Sequence, residues 1–359
     1  MPGDPAARTA APTQRAPASP APTAGVLGCG HALPSQIRRN DDPIFAGLDR
    51  SADARGVSEA ALFLGLRERR VLGADGRIEP LVVNACRRAL RHADVAPEEV
   101  DRLYGYVSVP DYATPNPLFA VHRDLGLPER AMVVPINSEF SNFAVGLVLG
   151  SEAIAAGRAR RVLVACGSNW TRHLDYTRGH ASTAGDGAGA VLLGPSDRFV
   201  VVDHETRTAS QHFHAMRMRL RPVAGPGGAR HLPLGPDNLP LPTYDMDPTE
   251  GVDVYLTLMR DTLPDMVNGL LARNGVSGGD TALITHQGSR LLLDHWAERI
   301  RPGQYLETLE TYGNLVLATY PVNLSHFFAE IVMPYVVIAS VGTGFHLSAV
   351  LLRVGQSGQ

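Results

Sequence analysis

Three places in this 359-residue chain combine residue types and neighbours that could do chemistry. His286 directly follows the apolar run Thr281-Ala282-Leu283-Ile284-Thr285, so the pattern predicts an imidazole at the carboxyl end of a strand, where α/β proteins gather their reacting groups. Asn314 sits in the turn Tyr312-Gly313-Asn314-Leu315 and holds an amide side chain there. The third place is the polar tip Asn137-Ser138-Glu139-Phe140-Ser141, between the short apolar stretch Val133–Ile136 and a small-residue helix from Phe143. A strand-turn-helix of this kind sets its tip over a helix N-terminus, where backbone N–H groups favour a developing anion, and it is where a nucleophile belongs. The tip holds glutamate, phenylalanine and serines, and no cysteine.

The elements that must position these groups follow from periodicity. Apolar residues Leu81, Val82, Ala85, Cys86, Ala89 and Leu90 recur at helical spacing behind Pro80 and predict a helix to about Ala93. Strands are predicted at Gly25–Pro34, with a turn at Pro34-Ser35, at Leu103–Val109, Val162–Ser168 and from the glycyl turn Gly185-Asp186-Gly187 to Leu193, then at Val336–Ser340 and Leu347–Val354. Helices are predicted at Leu118–Leu125, Phe143–Ala156, Val252–Asn274 and Arg290–Arg299. Asp186 reads as a carboxylate that orients backbone N–H groups, because its turn opens a strand and lacks phosphate-binding geometry. Residues 209–251, rich in Pro, Gly, His, Met and Arg, read as an irregular cover. His204, His212, His214 and His231 in or beside it have no zinc-ligand spacing, so no metal is expected.

Composition limits the function classes. The chain is 44% hydrophobic and 19% charged with a net charge of −3, which argues against nucleic acid as its partner. All 33 basic residues are arginine, so lysine chemistry such as a Schiff base is excluded. Cys29, Cys86 and Cys166 are isolated in sequence, and no apolar run is long enough to span a bilayer. With no signal-peptide pattern, these features predict a soluble cytoplasmic protein without membrane association. Residues 1–24, mostly Ala, Pro, Thr and Arg, are expected to be a disordered tail.

Taken in order, Leu66-Arg67-Glu68-Arg69, the turn at Ile136-Asn137, Gly185-Asp186-Gly187-Ala188-Gly189-Ala190, His286-Gln287, Gly313-Asn314 and Gly342-Thr343-Gly344-Phe345 resemble the ketoacyl-acyl-carrier-protein synthase III branch of the thiolase superfamily, over about residues 25–355. The resemblance implies an α/β fold of five layers, α-β-α-β-α, built from two similar halves, here 25–198 and 199–355. It further implies a homodimer, or a heterodimer with a related chain, and no bound cofactor. The substrate would be an acyl-phosphopantetheine or acyl-coenzyme A, with acyl carrier protein as partner.

By the same resemblance His286 and Asn314 are the supporting catalytic pair, and the N–H groups of Thr343 and Phe140 form the oxyanion hole. Arg67, Arg69, Arg70 and Arg158 are candidates for a basic rim that receives the carrier. The family's cysteine position falls on Phe140, and a one-residue slip puts Glu139 there, with Ser138 and Ser141 as nearby alternatives. The tryptophan that often stacks on coenzyme A adenine is absent from Ala60–Phe63.

Three functions remain open at this point. The first is a cysteine-less acyltransferase of specialised metabolism, such as antibiotic biosynthesis, that delivers an acyl group to an alcohol or amine. The second is a malonyl-thioester decarboxylase or condensing enzyme using Glu139. The third is a non-catalytic subunit paired with an active paralogue.

Overall fold

The computed structural model describes residues 23–224, 229–235 and 237–355. Most of the tail expected at residues 1–24 lies outside the described residues. Ten strands form one continuous hydrogen-bonded order that divides into two five-stranded sets. The first set comprises β1 (Ala24–Ala32), β2 (Arg102–Ser108), β3 (Met132–Pro135), β4 (Val162–Ser168) and β5 (Gly187–Pro195). The second comprises β6 (Val200–Thr208), β7 (Thr281–Thr285), β8 (Gln304–Tyr305), β9 (Tyr335–Gly342) and β10 (His346–Arg353).

The first set runs β3-β2-β4-β5-β1 and the second β8-β7-β9-β10-β6, which is the same order in each half. The pairing directions also repeat. β2 is parallel to β3 and β4, as β7 is parallel to β8 and β9, while β5 and β10 run antiparallel to both of their neighbours within a set. The sets join through a single residue pair, Gly25 with Val200.

Helices make the remaining layers. α1 (Glu79–Ala93) covers the outer face of the first set with its predicted apolar stripe, assisted by α2 (Leu118–Leu125). A Cβ at Gly30 of β1 would run into the backbone of Ala85, so glycine there sets how closely strand and helix approach. α3 (Asn142–Ala155) lies between the sets, touching β1, β2, β4 and β5 on one side and β9 and β10 on the other.

The segment predicted as one helix at Val252–Asn274 is α-helical at Glu250–Val254, a π-helix over Tyr255–Thr262, and α-helical again as α4 (Leu263–Arg273). Pro264 explains the interruption, since it has no N–H to offer the carbonyl four residues back. That Arg260 carbonyl instead accepts from Trp296 Nε1 at 3.0 Å. Trp296 belongs to α5 (Arg290–Ile300), and α6 (Thr319–His326) shares the central layer with α3. The expected irregular cover contains a small ladder of Met216–Arg219 with Thr243–Met246. Among the described residues no helix is long and apolar enough to cross a membrane.

Candidate active site

The elbow between β3 and α3 is held by short backbone and amide bonds. The Ile136 N–H reaches the Gly105 carbonyl at 2.7 Å, the Ser141 N–H reaches the Ser138 carbonyl at 2.7 Å, and Asn142 Nδ2 donates to the Ile136 carbonyl at 2.7 Å. These tethers place Phe140 at φ 75°, a left-handed conformation that strains any residue with a Cβ and is characteristic of functional turns. Gly342 at the end of β9 packs directly beneath, where a Cβ would collide with the Glu139 carbonyl oxygen. The Phe140 ring is buried against Trp170, with centroids 5.1 Å apart and edge to face, and lies parallel to the His286 imidazole.

His286 stands just beyond β7, 3% exposed, and burial pushes its imidazole down to about 4, so it is neutral near pH 7. Asn314 Nδ2 is 3.5 Å from His286 Nε2, while Asn314 Oδ1 accepts the Val316 N–H at 3.0 Å and thereby fixes which end of the amide faces the ring. An amide N–H can only donate, so this pairing needs a lone pair on Nε2 and puts the ring proton on Nδ1. The neighbouring Gln287 is fully buried and braces the loop. Its Oε1 accepts from the Thr308 N–H and Asn323 Nδ2, and its Nε2 donates to the Gly313 carbonyl.

Phe140, His286 and Asn314 line one narrow pocket of about 50 Å³ whose other walls are largely aromatic and thioether, including Phe63, Trp170, Tyr244 and Met259. Sequence reasoning missed a second imidazole in this pocket, that of His180. Its Nδ1 is 2.6 Å from Glu59 Oε1, and Glu59 Oε2 in turn accepts two bonds from Arg178, at 2.9 and 2.6 Å. Glu59 and His180 are 121 residues apart and share no local motif, so only the fold brings them together. Although burial pushes the Glu59 carboxyl up, the His180 hydrogen bond and the Arg178 cation outweigh it and hold it at about 2. A wider cleft of about 450 Å³ lies next to the pocket, with Phe63 common to both.

The remaining predicted site residues are not among those lining the pocket. Ser141 is fully buried and engaged elsewhere, donating to the His346 carbonyl and accepting from Ser340 Oγ at 3.0 Å. Glu139 points to Ser108, whose hydroxyl donates to Oε1 at 2.7 Å and itself accepts from Trp170 Nε1 at 2.9 Å. Burial pushes Glu139 up to about 7 against the opposing pull of the Ser108 hydroxyl and the Phe140 N–H. Ser138 and Thr343 are partly exposed flanks of the same turns.

The basic rim needs correction. Arg69 is buried, its guanidinium over the Phe45 ring and bonded to Asn40 Oδ1 and the Ser182 carbonyl, so it braces the inner wall of the wider cleft and does not stand on an exposed rim. Arg158 lies past the far end of α3, about 20 Å from the elbow at 1.5 Å per residue, and cannot rim the same entrance. Arg67 is exposed and paired to Glu310 at 3.3 Å, and Arg70 is half-buried over Tyr312. Asp186 does as predicted: it accepts the N–H groups of Leu72 and Thr171 and the Thr171 hydroxyl. Cys29, Cys86 and Cys166 are all buried outside the pocket, and burial raises their thiols. Among the described residues no three potential metal ligands converge.

Comparison with known proteins agrees with this architecture. Two family models match separate stretches: 3-oxoacyl-[acyl-carrier-protein (ACP)] synthase III over residues 135–210, and its C-terminal model over residues 271–354. The beta-ketoacyl-[acyl-carrier-protein] synthase III of Rhodospirillum centenum is 28% identical over 343 residues, covering 91% of this chain and 98% of that one. The chloroplastic synthase III of Arabidopsis thaliana is 27% identical, covering 83% and 74%. Among solved structures, 3-oxoacyl-(acyl carrier protein) synthase III from Pseudomonas aeruginosa PAO1 superposes with a TM-score of 0.76 at 23% identity, covering 94% of this chain and all of that one. The priming β-ketosynthase of the R1128 polyketide pathway gives 0.76 at 24% identity, covering 97% and 100%. The first family match begins at Pro135, at the elbow, and the second contains His286, Asn314 and Thr343.

Proposed function

We propose that this chain, a 3-oxoacyl-[acyl-carrier-protein] synthase III-like member of the thiolase superfamily, transfers an acyl group from a thioester directly to an alcohol or amine, with no acyl-enzyme. One observation carries the reading. The elbow presents a phenylalanine ring to the pocket, and no thiol or hydroxyl nucleophile from the elbow lines it, while His286 and Asn314 remain beside that ring. A thiolate is what makes the covalent route efficient near neutral pH, and a phenyl ring cannot replace it. The groups left can still polarise and orient a thioester carbonyl. On this reading the donor is an acyl carrier protein or coenzyme A approaching through the wider cleft beside Arg67, and the protein works as a dimer in specialised metabolism.

The test supplies acetyl- and hexanoyl-coenzyme A, and the same acyl groups on carrier protein, with a panel of alcohols and amines. Thiol release that depends on the acceptor, with an unchanged intact protein mass, supports direct transfer. An acyl adduct on Ser138, Glu139 or Ser141 overturns it. Carbon dioxide release from malonyl carrier, without transfer, assigns decarboxylation instead. Turnover only when a cysteine-bearing paralogue is co-purified assigns the role of a subunit, a reading the narrowness of the pocket around Phe140 would also suit.

A further inference from the structure

The pocket contains two imidazoles in opposite electrostatic settings, and they are not equally suited to take a proton. His286 has no carboxylate partner, its Nε2 faces the Asn314 amide, and Phe140 covers a ring face. An imidazolium formed there would be stranded in an apolar enclosure. His180 is the reverse. Glu59 is ionised and can only accept, so the 2.6 Å contact puts a proton on His180 Nδ1, and in the neutral ring the lone pair is then on Nε2. His180 is 6% exposed, and its Nε2 is buried with no partner although the residue lines the pocket. Edge-to-face contacts with Phe63 and Tyr244 hold the ring, the Glu59 carboxylate also accepts the His180 backbone N–H, and Arg178 grips the other carboxylate oxygen. A base whose far nitrogen is oriented by a carboxylate is the arrangement that activates hydroxyl groups on unrelated folds.

We propose that His180, oriented by Glu59, is the catalytic general base that deprotonates the acceptor; this rests on the acyl-transfer reading above. The acceptor class is a molecule with one hydroxyl or amino group on an apolar body, matching the phenyl, phenol and thioether walls around Nε2. His180 Nε2 takes the acceptor's proton as the acceptor oxygen or nitrogen attacks the thioester carbon. The carbonyl π pair moves onto oxygen, then returns as the carbon–sulfur bond breaks. The leaving thiolate takes the proton back from Nε2, so ester or amide and free thiol form with no net proton change. Glu59 is the positioning residue, and its charge stabilises the transient imidazolium.

The experiment measures acceptor-dependent thiol release from hexanoyl-coenzyme A against pH, in the full chain and in H180N, E59Q and H286N, with thermal melting of each as a folding control. The groups that face His180 are Glu59, Arg178 and Tyr244, with His286 in the same pocket, so the variants separate the candidates for any limb observed. Expected is a loss of about 10²-fold or more in kcat for H180N. E59Q, which preserves shape, should lower kcat about tenfold and move the acid limb of kcat/KM about one pH unit or more lower, because the imidazolium loses its anion. H286N should leave the position of that limb unchanged. If H180N keeps its turnover, or the limb moves with H286N and not with E59Q, the assignment of the base falls while acyl transfer stands. If the unaltered chain releases no thiol from any donor, acyl transfer falls and this inference falls with it.

Discussion

The phenyl ring of Phe140 and the imidazole of His286 are stacked, their planes 5° from parallel and their centroids 5.2 Å apart. The contact joins the elbow of the first set of strands to the end of β7 in the second, and both rings line the same pocket. What that ring excludes can be tested directly.

Phe140→Cys should introduce a nucleophile. The thiol would stand at the N-terminal end of α3, whose dipole favours the thiolate, with the neutral His286 imidazole alongside. Incubation with acetyl-coenzyme A is expected to add one acetyl group to the variant by intact mass, and none to the unaltered chain. Loss of the buried ring should also cost stability, about 2–4 kcal/mol by chemical denaturation.

Glu139 predicts a pH signature. Its folded-state pKa, about 7, is raised above the ordinary carboxyl value, so the folded protein binds the proton more tightly than the unfolded chain does. The associated stability is fully present below about pH 4 and is lost as pH rises through 7. Glu139→Gln removes that loss. The variant should be more stable than the unaltered chain by about 1–3 kcal/mol at pH 8, with the difference shrinking towards pH 4 in urea titrations.

Glu59 has the opposite sign. Held at about 2, its stability is present above the ordinary carboxyl range and lost as pH falls from about 4.5 through 2. Melting curves should show an acid transition in this window that Glu59→Gln weakens, since the variant has no charge to lose.

Gly342→Ala tests the floor of the elbow. The added methyl has no space against the Glu139 carbonyl, so either β9 or the elbow must shift. The expected result is a destabilisation of about 2–4 kcal/mol, with loss of turnover in the fraction that still folds.

Arg67 and Arg69 should separate cleanly. Arg69→Ala strands the acceptors on Asn40 and Ser182 and should lower the melting temperature by several degrees. Arg67→Ala removes one exposed pair and should alter stability by about 0.5 kcal/mol or less. If a carrier protein docks at this rim, Arg67→Ala raises KM for that donor and leaves KM for free coenzyme A thioesters unchanged.

Much of this molecule is written in local pattern. The α1 stripe, the strand Val162–Ser168, the helix Leu118–Leu125 and the strand ending at His286 appear where the sequence periodicity sets them, because each element buries one continuous face. Asp186 was legible for the same reason, since a carboxylate in a glycyl turn has few partners other than nearby N–H groups. What escaped was relational. Arg69 reads as one arginine in a basic run, and only the packing of Phe45, Asn40 and Ser182 around it makes it internal. Arg158 reads as one more arginine for the rim, while the length of α3 carries it to the far end of that helix from the elbow. Pro264 is read through in the single helix expected at Val252–Asn274, and the indole of Trp296 that takes up the freed carbonyl arrives from 32 residues downstream of the proline. His180 had no signal at all without Glu59.

The single pairing of Gly25 with Val200 divides the strands into two repeats of one plan, and the pocket draws on both. Phe140, Trp170 and His180 come from the first, and Tyr244, Met259, His286 and Asn314 from the second. Neither repeat owns a complete set of reacting groups. On the acyl-transfer reading, a leading repeat that acquired its own sheet and helices during synthesis would lack His286 and Asn314, and so remain chemically silent, until the trailing repeat docks.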